Sequence, residues 1–231
     1  MTTSLNQLGI VHRTIQRVEY PVVEQLSHFG SATLHEAMGR TGLMKSYMRP
    51  AWRGARLCGA AVTVLLQPGD NWMLHVAAEQ IQPGDVVVAA CTSESTAGFF
   101  GDLLATSFKA RGACGLIIDG GVRDVDVLEK LGFPVFSRAI SPRGTVKGTL
   151  GSVNIPVVCA GSLVSPGDVV VADTDGIVVV PAAIAAQVAI KARAREDSEE
   201  SKRELFASGV LGLDYYKMRE GLEKAGLKYI D

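Results

Sequence analysis

The sequence predicts a mixed α/β fold built from packed layers of helix and sheet. Three observations carry that reading. From about residue 57 to residue 138, apolar runs of strand length alternate with helix-length segments, the pattern of strands joined by helical crossovers. After residue 145 the helices drop out, and short strands follow one another through turns until Pro181. Gly is plentiful at 25 residues and aromatic side chains are scarce at 6%, which suits tight turns between small, closely packed strands. A chain of 231 residues buries roughly 70% of its unfolded surface, so its core needs no covalent staple.

The elements follow in order. Short helices are expected near 22–28 and 32–38, the second capped by Ser31. The run Leu57–Leu66 reads as a strand ended by Gln67-Pro68-Gly69-Asp70, and 71–81 as a helix with Asn71 placed as its cap. A strand at 85–91 leads through a Ser/Thr/Gly loop to a helix at 103–111, then a strand at 114–118. A helix over about 124–131 and the strand PVFSR complete the alternating part. The heptapeptide PGDVVVA occurs at 83–89 and again at 166–172, with a third Pro-Gly-Asp at 68–70. Pro then Gly at the centre of a type II turn launching a buried strand accounts for the repeat; a repeated binding loop is the alternative. Asp175-Gly176 marks a hairpin. Residues 182–208 read as one long helix closed by Gly209, its charges paired along the solvated face, and DYYKMREGLEKAG as a further short helix. No linker interrupts the first 180 residues. We therefore expect one α/β domain over 1–181 and a helical extension over 182–231; projecting C-terminal helices of this kind often pack on a neighbouring subunit.

Charge and cysteine usage exclude several classes. The 23 basic and 24 acidic side chains leave a net charge of −1, without the basic footprint that nucleic acid or an anionic membrane selects. The N-terminal stretch lacks a signal-peptide pattern and no run suits a membrane span, so a cytoplasmic protein is expected. Cys58, Cys91, Cys114 and Cys159 have no metal-ligand spacing and read as small buried hydrophobes. The four histidines are dispersed, and neither a nucleophile elbow nor a phosphate loop is present. Lys147 is the best-placed lysine for a Schiff base, but it reads more readily as a surface residue at a strand edge.

Two loops are left to carry chemistry. SESTAGFFGDLL, residues 93–104, runs from a buried strand into a helix, with Gly98 and Gly101 relieving the backbone before it. Free N–H groups at that helix N-terminus, those of Leu103 and Leu104, suit a carboxylate or phosphate, while Asp102 falls where a cap belongs. DGGVRD, residues 119–124, again follows a strand and opens a helix. Asp124 is favourable there, but the Arg123 cation opposes the helix dipole, so an anionic ligand is expected beside it. Loops of this kind converge at the carboxyl end of an α/β sheet, where ligands bind.

These residues carry a resemblance. GFFGDLLATSFKARG followed by GLIIDGGVRD, with Asp102 separated by twenty residues from the Arg123-Asp124 pair, is similar to the class II pyruvate aldolases, the 4-hydroxy-4-methyl-2-oxoglutarate / 4-carboxy-4-hydroxy-2-oxoadipate aldolase family. QPGDNWMLHVAAEQ, PVFSRAISPRGTVKGTLGSVNIPVVCAG and GLDYYKMREGLEKAGLKYI extend the likeness over nearly the whole chain. It implies a layered sandwich of the swivelling β/β/α type with mixed sheets, assembled as a homotrimer or homohexamer. It implies a 2-oxo acid substrate, cleaved to pyruvate plus pyruvate or oxaloacetate, in bacterial aromatic catabolism, with oxaloacetate decarboxylation as a side activity. Carried onto this chain, Asp124 binds a divalent metal directly, and Asp102 and Glu199 reach it through water. Gly101, Asp102, Leu103 and Leu104 contact substrate, the last two gripping the pyruvyl carboxylate, and Arg123 contacts the keto oxygen and enolate. Oxygen ligands suit Mg²⁺ or Mn²⁺ better than Zn²⁺. The same family holds regulators of ribonuclease E activity, so a non-catalytic ribonuclease-binding protein and a dedicated oxaloacetate decarboxylase are the alternatives.

Overall fold

In the computed structural model, which describes residues 8–231, the chain opens with α1 (Tyr20–Ser27), α2 (Ser31–Ala37) and the two-residue β1 (Arg49–Pro50). The N-terminal stretch read for targeting lies largely outside the described residues. The alternating part runs β2 (Leu57–Leu66), α3 (Trp72–Ala77), β3 (Asp85–Cys91), β4 (Gly98–Phe100), α4 (Asp102–Ala110), β5 (Gly115–Val122), α5 (Val125–Leu131) and β6 (Val135–Ile140). Then come β7 (Ser152–Val153), β8 (Val157–Cys159), β9 (Ser162–Val164), β10 (Val169–Ala172) and β11 (Ile177–Val180). A 3₁₀ turn at Ala182–Ile184 leads into α6 (Ala185–Ala207), α7 (Gly212–Tyr215) and α8 (Arg219–Lys224).

The sheet order is β1-β6-β5-β3-β2-β10-β11, with β4 paired to β5 and β7 to β2. Its centre, β2-β3-β5-β6, is parallel, and both ends are antiparallel. The Val- and Ala-rich strands have side chains that pack on both faces, as parallel strands with two covered faces require. On one face Val62, Val64 and Leu66 of β2 meet Leu74 of α3, Leu104 and Phe108 of α4 and Leu128 of α5. On the other, Leu57 and Ala61 meet Val157, Cys159 and Val164 of the separate β8-β9 hairpin. Helices, large sheet and small sheet therefore form the α, β and β layers, and α1, α2 and α6 close the β10-β11 end around Leu26, Leu34 and Val188.

The three Pro-Gly-Asp segments are turns. Gly69, Gly84 and Gly167 have φ of +72°, +92° and +88°, and Asp70, Asp85 and Asp168 donate their N–H groups to Gln67, Gln82 and Ser165. Positive φ at the third position with that closing bond defines the type II turn.

Several local expectations change. Ser31 lies inside α2 rather than capping it, and Gly30 holds the cap position. The anion for that end comes from Asp173, which accepts from the Ser31 N–H at 2.8 Å and hydroxyl at 2.6 Å. Asn71 holds the cap position of α3 as expected but makes no side-chain cap bond; Asp70 supplies the acceptor instead, taking the Trp72 N–H at 2.9 Å. The strand expected at 114–118 continues to Val122, so Asp119–Val122 is sheet and not loop. Of the four cysteines read as buried, Cys159 is buried, Cys58 and Cys91 are half-buried and Cys114 is exposed. Gly209, at φ +94°, ends the long helix, and the expected single closing helix is two, α7 and α8, separated near Lys217 at φ +53°.

Candidate active site

The site forms where β4 and β5, paired in parallel through Gly98 and Gly121, end side by side and each feeds a helix. Phe100 closes β4 and accepts the Arg123 N–H at 2.9 Å, locking the two exits together. Asp124 then takes φ +56° and ψ +35°, a left-handed conformation that Asp tolerates better than most non-glycine residues. It occupies the cap position of α5 without a side-chain cap bond. Its carboxylate instead turns to the neighbouring helix, accepting the N–H of Asp102, the first residue of α4, at 3.3 Å.

The two glycines have a different role from the expected one. Gly101 is extended, with φ −153°, so its backbone is one any residue could adopt. What it supplies is space: a Cβ there would lie 2.2 Å from the Asp124 Oδ2 and 3.0 Å from the Arg123 Cγ. At Gly98 a Cβ would lie 2.4 Å from the Ser141 carbonyl oxygen. Both glycines clear room for close approach of the second loop.

Arg123 has its anion within the chain, because its Nε lies 3.4 Å from the Asp124 Oδ2. That carboxylate offsets the cost of a cation before a helix, so no external ligand is needed to explain Arg123. Both side chains remain open, at 46% and 36% exposure. Arg123, Asp124, Ile140, Ser141 and Pro142 line a pocket of about 300 Å³. The first turn of α4 adds the amides of Leu103 and Leu104, which have no acceptor a turn earlier in the helix. Leu104 packs into the core, whereas Leu103 is 78% exposed, an apolar side chain standing free beside polar groups.

Gly101, Asp102, Leu103, Leu104, Arg123 and Asp124 are thus brought together. Glu199 is not: it lies on α6, paired with Arg195 at 2.8 Å, on the helix that packs against α1 and α2. Lys147 is exposed on the loop after β6, as its surface reading has it. Partial burial, with the nearby Lys147 charge, lowers the pKa of His75. Among the described residues no three His, Cys, Asp or Glu side chains cluster as a metal cage. A cation at Asp124 would therefore complete its shell from water, ligand or another subunit, as hydrated hard cations do. The oxygen donors, and the space that Gly101 keeps clear at the carboxylate, fit such an ion.

Sequence reading missed a second polar cluster. Arg138 on β6 bonds Asp119 at 2.8 Å, Glu94 at 2.9 Å and the Tyr47 hydroxyl at 3.0 Å, and the Ala160 N–H donates to Asp119. The Asp119 bond, against the opposing cost of burial, raises the Arg138 pKa. It joins the loop between β3 and β4 to the strand that carries Arg123. Its residues are scattered along the chain at no motif spacing, so only the fold reveals it.

The comparisons agree with this architecture. The family model described as RraA-like, Aldolase/RraA, matches residues 31–179, and the chain belongs to that family. A Halalkalibacterium halodurans protein named "Putative 4-hydroxy-4-methyl-2-oxoglutarate aldolase" is 27% identical over 202 residues, covering 87% of this chain and 96% of that protein. The crystal structure of an uncharacterized Pseudomonas syringae pv. tomato protein superposes with a TM-score of 0.75 at 30% identity, covering 85% of this chain and 97% of that one. Streptomyces coelicolor RraAS2, described as an unusual member of the RNase ES inhibitor RraA protein family, superposes with a TM-score of 0.73 at 31% identity, covering 82% of this chain and 99% of its own.

Proposed function

We propose that the protein is a divalent-metal-dependent aldolase that cleaves 4-hydroxy-4-methyl-2-oxoglutarate or 4-carboxy-4-hydroxy-2-oxoadipate, releasing pyruvate together with pyruvate or oxaloacetate. The observation that carries the reading is the left-handed Asp124, whose carboxylate leaves its own helix and faces Gly101 and the first turn of α4. A cap is given up there for a carboxylate placed beside an arginine and free amides, which is the sort of local cost that functional sites hold. In this reading Asp124 holds Mg²⁺ or Mn²⁺ directly and Asp102 orders water at it. The ion, when bound, supplies positive charge to the 2-keto oxygen.

The residues divide the reaction as follows. The Leu103 and Leu104 amides at the α4 N-terminus grip the pyruvyl carboxylate. Water held by Asp102 takes the proton from the C4 hydroxyl. The C3–C4 bond breaks, its electron pair passing to the pyruvyl half as an enolate while C4 becomes the new carbonyl. Arg123 stabilises the enolate oxygen, a charge that develops only as the bond breaks. The proton taken from the hydroxyl returns from that water to C3 and yields pyruvate. Oxaloacetate decarboxylation passes through the same enolate and is the expected side reaction.

The homotrimer or homohexamer belongs to the same proposal. No residue of α7 or α8 is buried in the single chain, while Leu211, Tyr216, Leu227 and Ile230 stand exposed. A second subunit covering them would let Glu199 reach a neighbour's site. A coupled assay of pyruvate release with and without Mg²⁺ tests the reading. The relative among ribonuclease inhibitors makes a binding protein without turnover the outcome that would replace it.

A further inference from the structure

The geometry points to Asp70 and Asn71 as a positioning pair for this site: a turn that braces the free side of β4 and the adjacent loop, and so sets the distance between the α4 N-terminus and Arg123. The inference rests on the aldolase reading for its kinetic consequence, but not for its structural one.

Two of the three Pro-Gly-Asp turns are self-contained at their start. Asp85 and Asp168 fold back to accept the N–H of their own turn's first residue, Gln82 at 2.7 Å and Ser165 at 2.8 Å. Asp70 departs from the repeat. Its Oδ2 accepts the N–H groups of Gly148 and Thr149, both at 2.7 Å, and its Oδ1 that of Trp72 at 2.9 Å. The backbones of Gly69 and Asn71 add two bonds to Val146, at 2.9 and 3.1 Å. The loop after β6 is thus fastened to the turn at its far end. At its near end it lines the candidate pocket through Ile140, Ser141 and Pro142.

Asn71 reaches the other way. Its amide donates to the Phe99 carbonyl at 2.8 Å from a buried side chain, 8% exposed. β4 is only three residues long and, among the described residues, pairs with β5 alone, so one side of it has no strand there to bond. That side is completed by the Asn71 side chain at Phe99 and by the Arg143 carbonyl, which accepts the Gly98 N–H at 2.7 Å. The next carbonyl, that of Phe100, takes the Arg123 N–H. Each of the three residues of β4 is therefore fixed by a separate bond, and a buried carbonyl that loses its donor is costly to leave bare. Asn71 acts through β4 on Gly101, Leu103 and Leu104; it touches no reacting atom in the proposed chemistry.

The test uses Asn71→Ala and Asp70→Asn, with Asp168→Asn, in the same turn motif at the start of β10, as the matched control. Amide hydrogen exchange on the full-length protein is the first readout. Exchange over residues 98–104 should rise about tenfold or more in Asn71→Ala, and over 146–149 in Asp70→Asn, with β10-β11 unchanged. Steady-state pyruvate release is the second: kcat/KM should fall between about tenfold and a hundredfold in both variants, the cost of misplaced reacting groups, while Asp168→Asn loses thermal stability yet keeps its kinetic constants. Unchanged exchange over 98–104 and 146–149 would overturn the inference, as would kinetic losses in all three variants that simply track melting temperature. A wild type without turnover would remove the aldolase reading and leave the exchange result to decide the brace on its own.

Discussion

At the scale of single residues, Arg123 and Asp124 share an ion pair of 3.4 Å yet answer to different substitutions. Arg123→Lys keeps the charge and loses the planar fork that can meet a keto oxygen and a neighbouring carboxylate together. If it acts on the enolate, kcat falls by about a hundredfold or more with KM far less affected, and oxaloacetate decarboxylation falls in parallel. A change confined to KM would assign Arg123 to ground-state binding. Asp124→Asn keeps shape and removes the proposed metal carboxylate, so metal affinity by calorimetry and kcat should both collapse while circular dichroism is unchanged. Gly101→Ala would place a methyl group 2.2 Å from that carboxylate's Oδ2, and should cost at least about a hundredfold in kcat/KM by displacing it. Near-normal turnover in Gly101→Ala would mean that the Asp124 position is not what the reaction needs.

At the scale of elements, the sequence was most legible where a single pattern had one outcome. The run Leu57–Leu66 is uninterrupted and β-rich, and it is a strand with those bounds; the Pro-Gly-Asp turns form as Pro and Gly require. The loops carrying Gly101–Leu104 and Arg123-Asp124 were also legible, because small residues and charges stand where strands give way to helices. Caps were misread for a common reason. Ser31 falls one residue inside its helix and Asn71 holds its cap position, but their side chains turn to more distant partners, Asp173 and the Phe99 carbonyl, and such long-range bonds leave no trace in spacing. The anion inferred beside Arg123 exists, but is Asp124 itself.

The Asp173 cap makes a prediction at this scale. Burial opposes its ionisation, but bonds from Ser31, Asp175 and Gly176 outweigh that and hold its pKa below the ordinary value. Its contribution to stability is therefore complete above the unfolded carboxylate pKa near 3.9 and is lost as pH falls through its lower folded value. Asp173→Asn should be less stable than wild type at pH 7, and the two melting curves should converge on acidification below about pH 4. A difference that persists unchanged at pH 2 would show that the charge of Asp173 is not what α2 uses.

At the scale of the whole molecule, the N-terminal segment is tied to the sheet by Arg17, whose guanidinium makes two 2.7 Å bonds to the Asp85 carboxylate. Asp85 is 1% exposed, so Arg17→Ala strands a buried charge and should cost about 3–5 kcal/mol, lowering the melting temperature by roughly 10 °C. This pair lies at the start of β3, and the candidate site lies at the opposite ends of the parallel strands. Turnover below the melting range should therefore be unchanged by Arg17→Ala, separating the stability of the scaffold from the chemistry it carries. The exposed apolar groups flanking α7 and α8 are expected to be covered in an oligomer, and the proposed trimer or hexamer should appear in sedimentation equilibrium; a monomer at micromolar concentration would take Glu199 out of the site.

The most direct test follows pyruvate release from 4-hydroxy-4-methyl-2-oxoglutarate by the wild-type protein, first as prepared, then after EDTA, then after Mg²⁺ or Mn²⁺ is returned. The account predicts turnover that EDTA abolishes and either ion restores. Turnover indifferent to EDTA, with borohydride trapping pyruvate on Lys147, would contradict it.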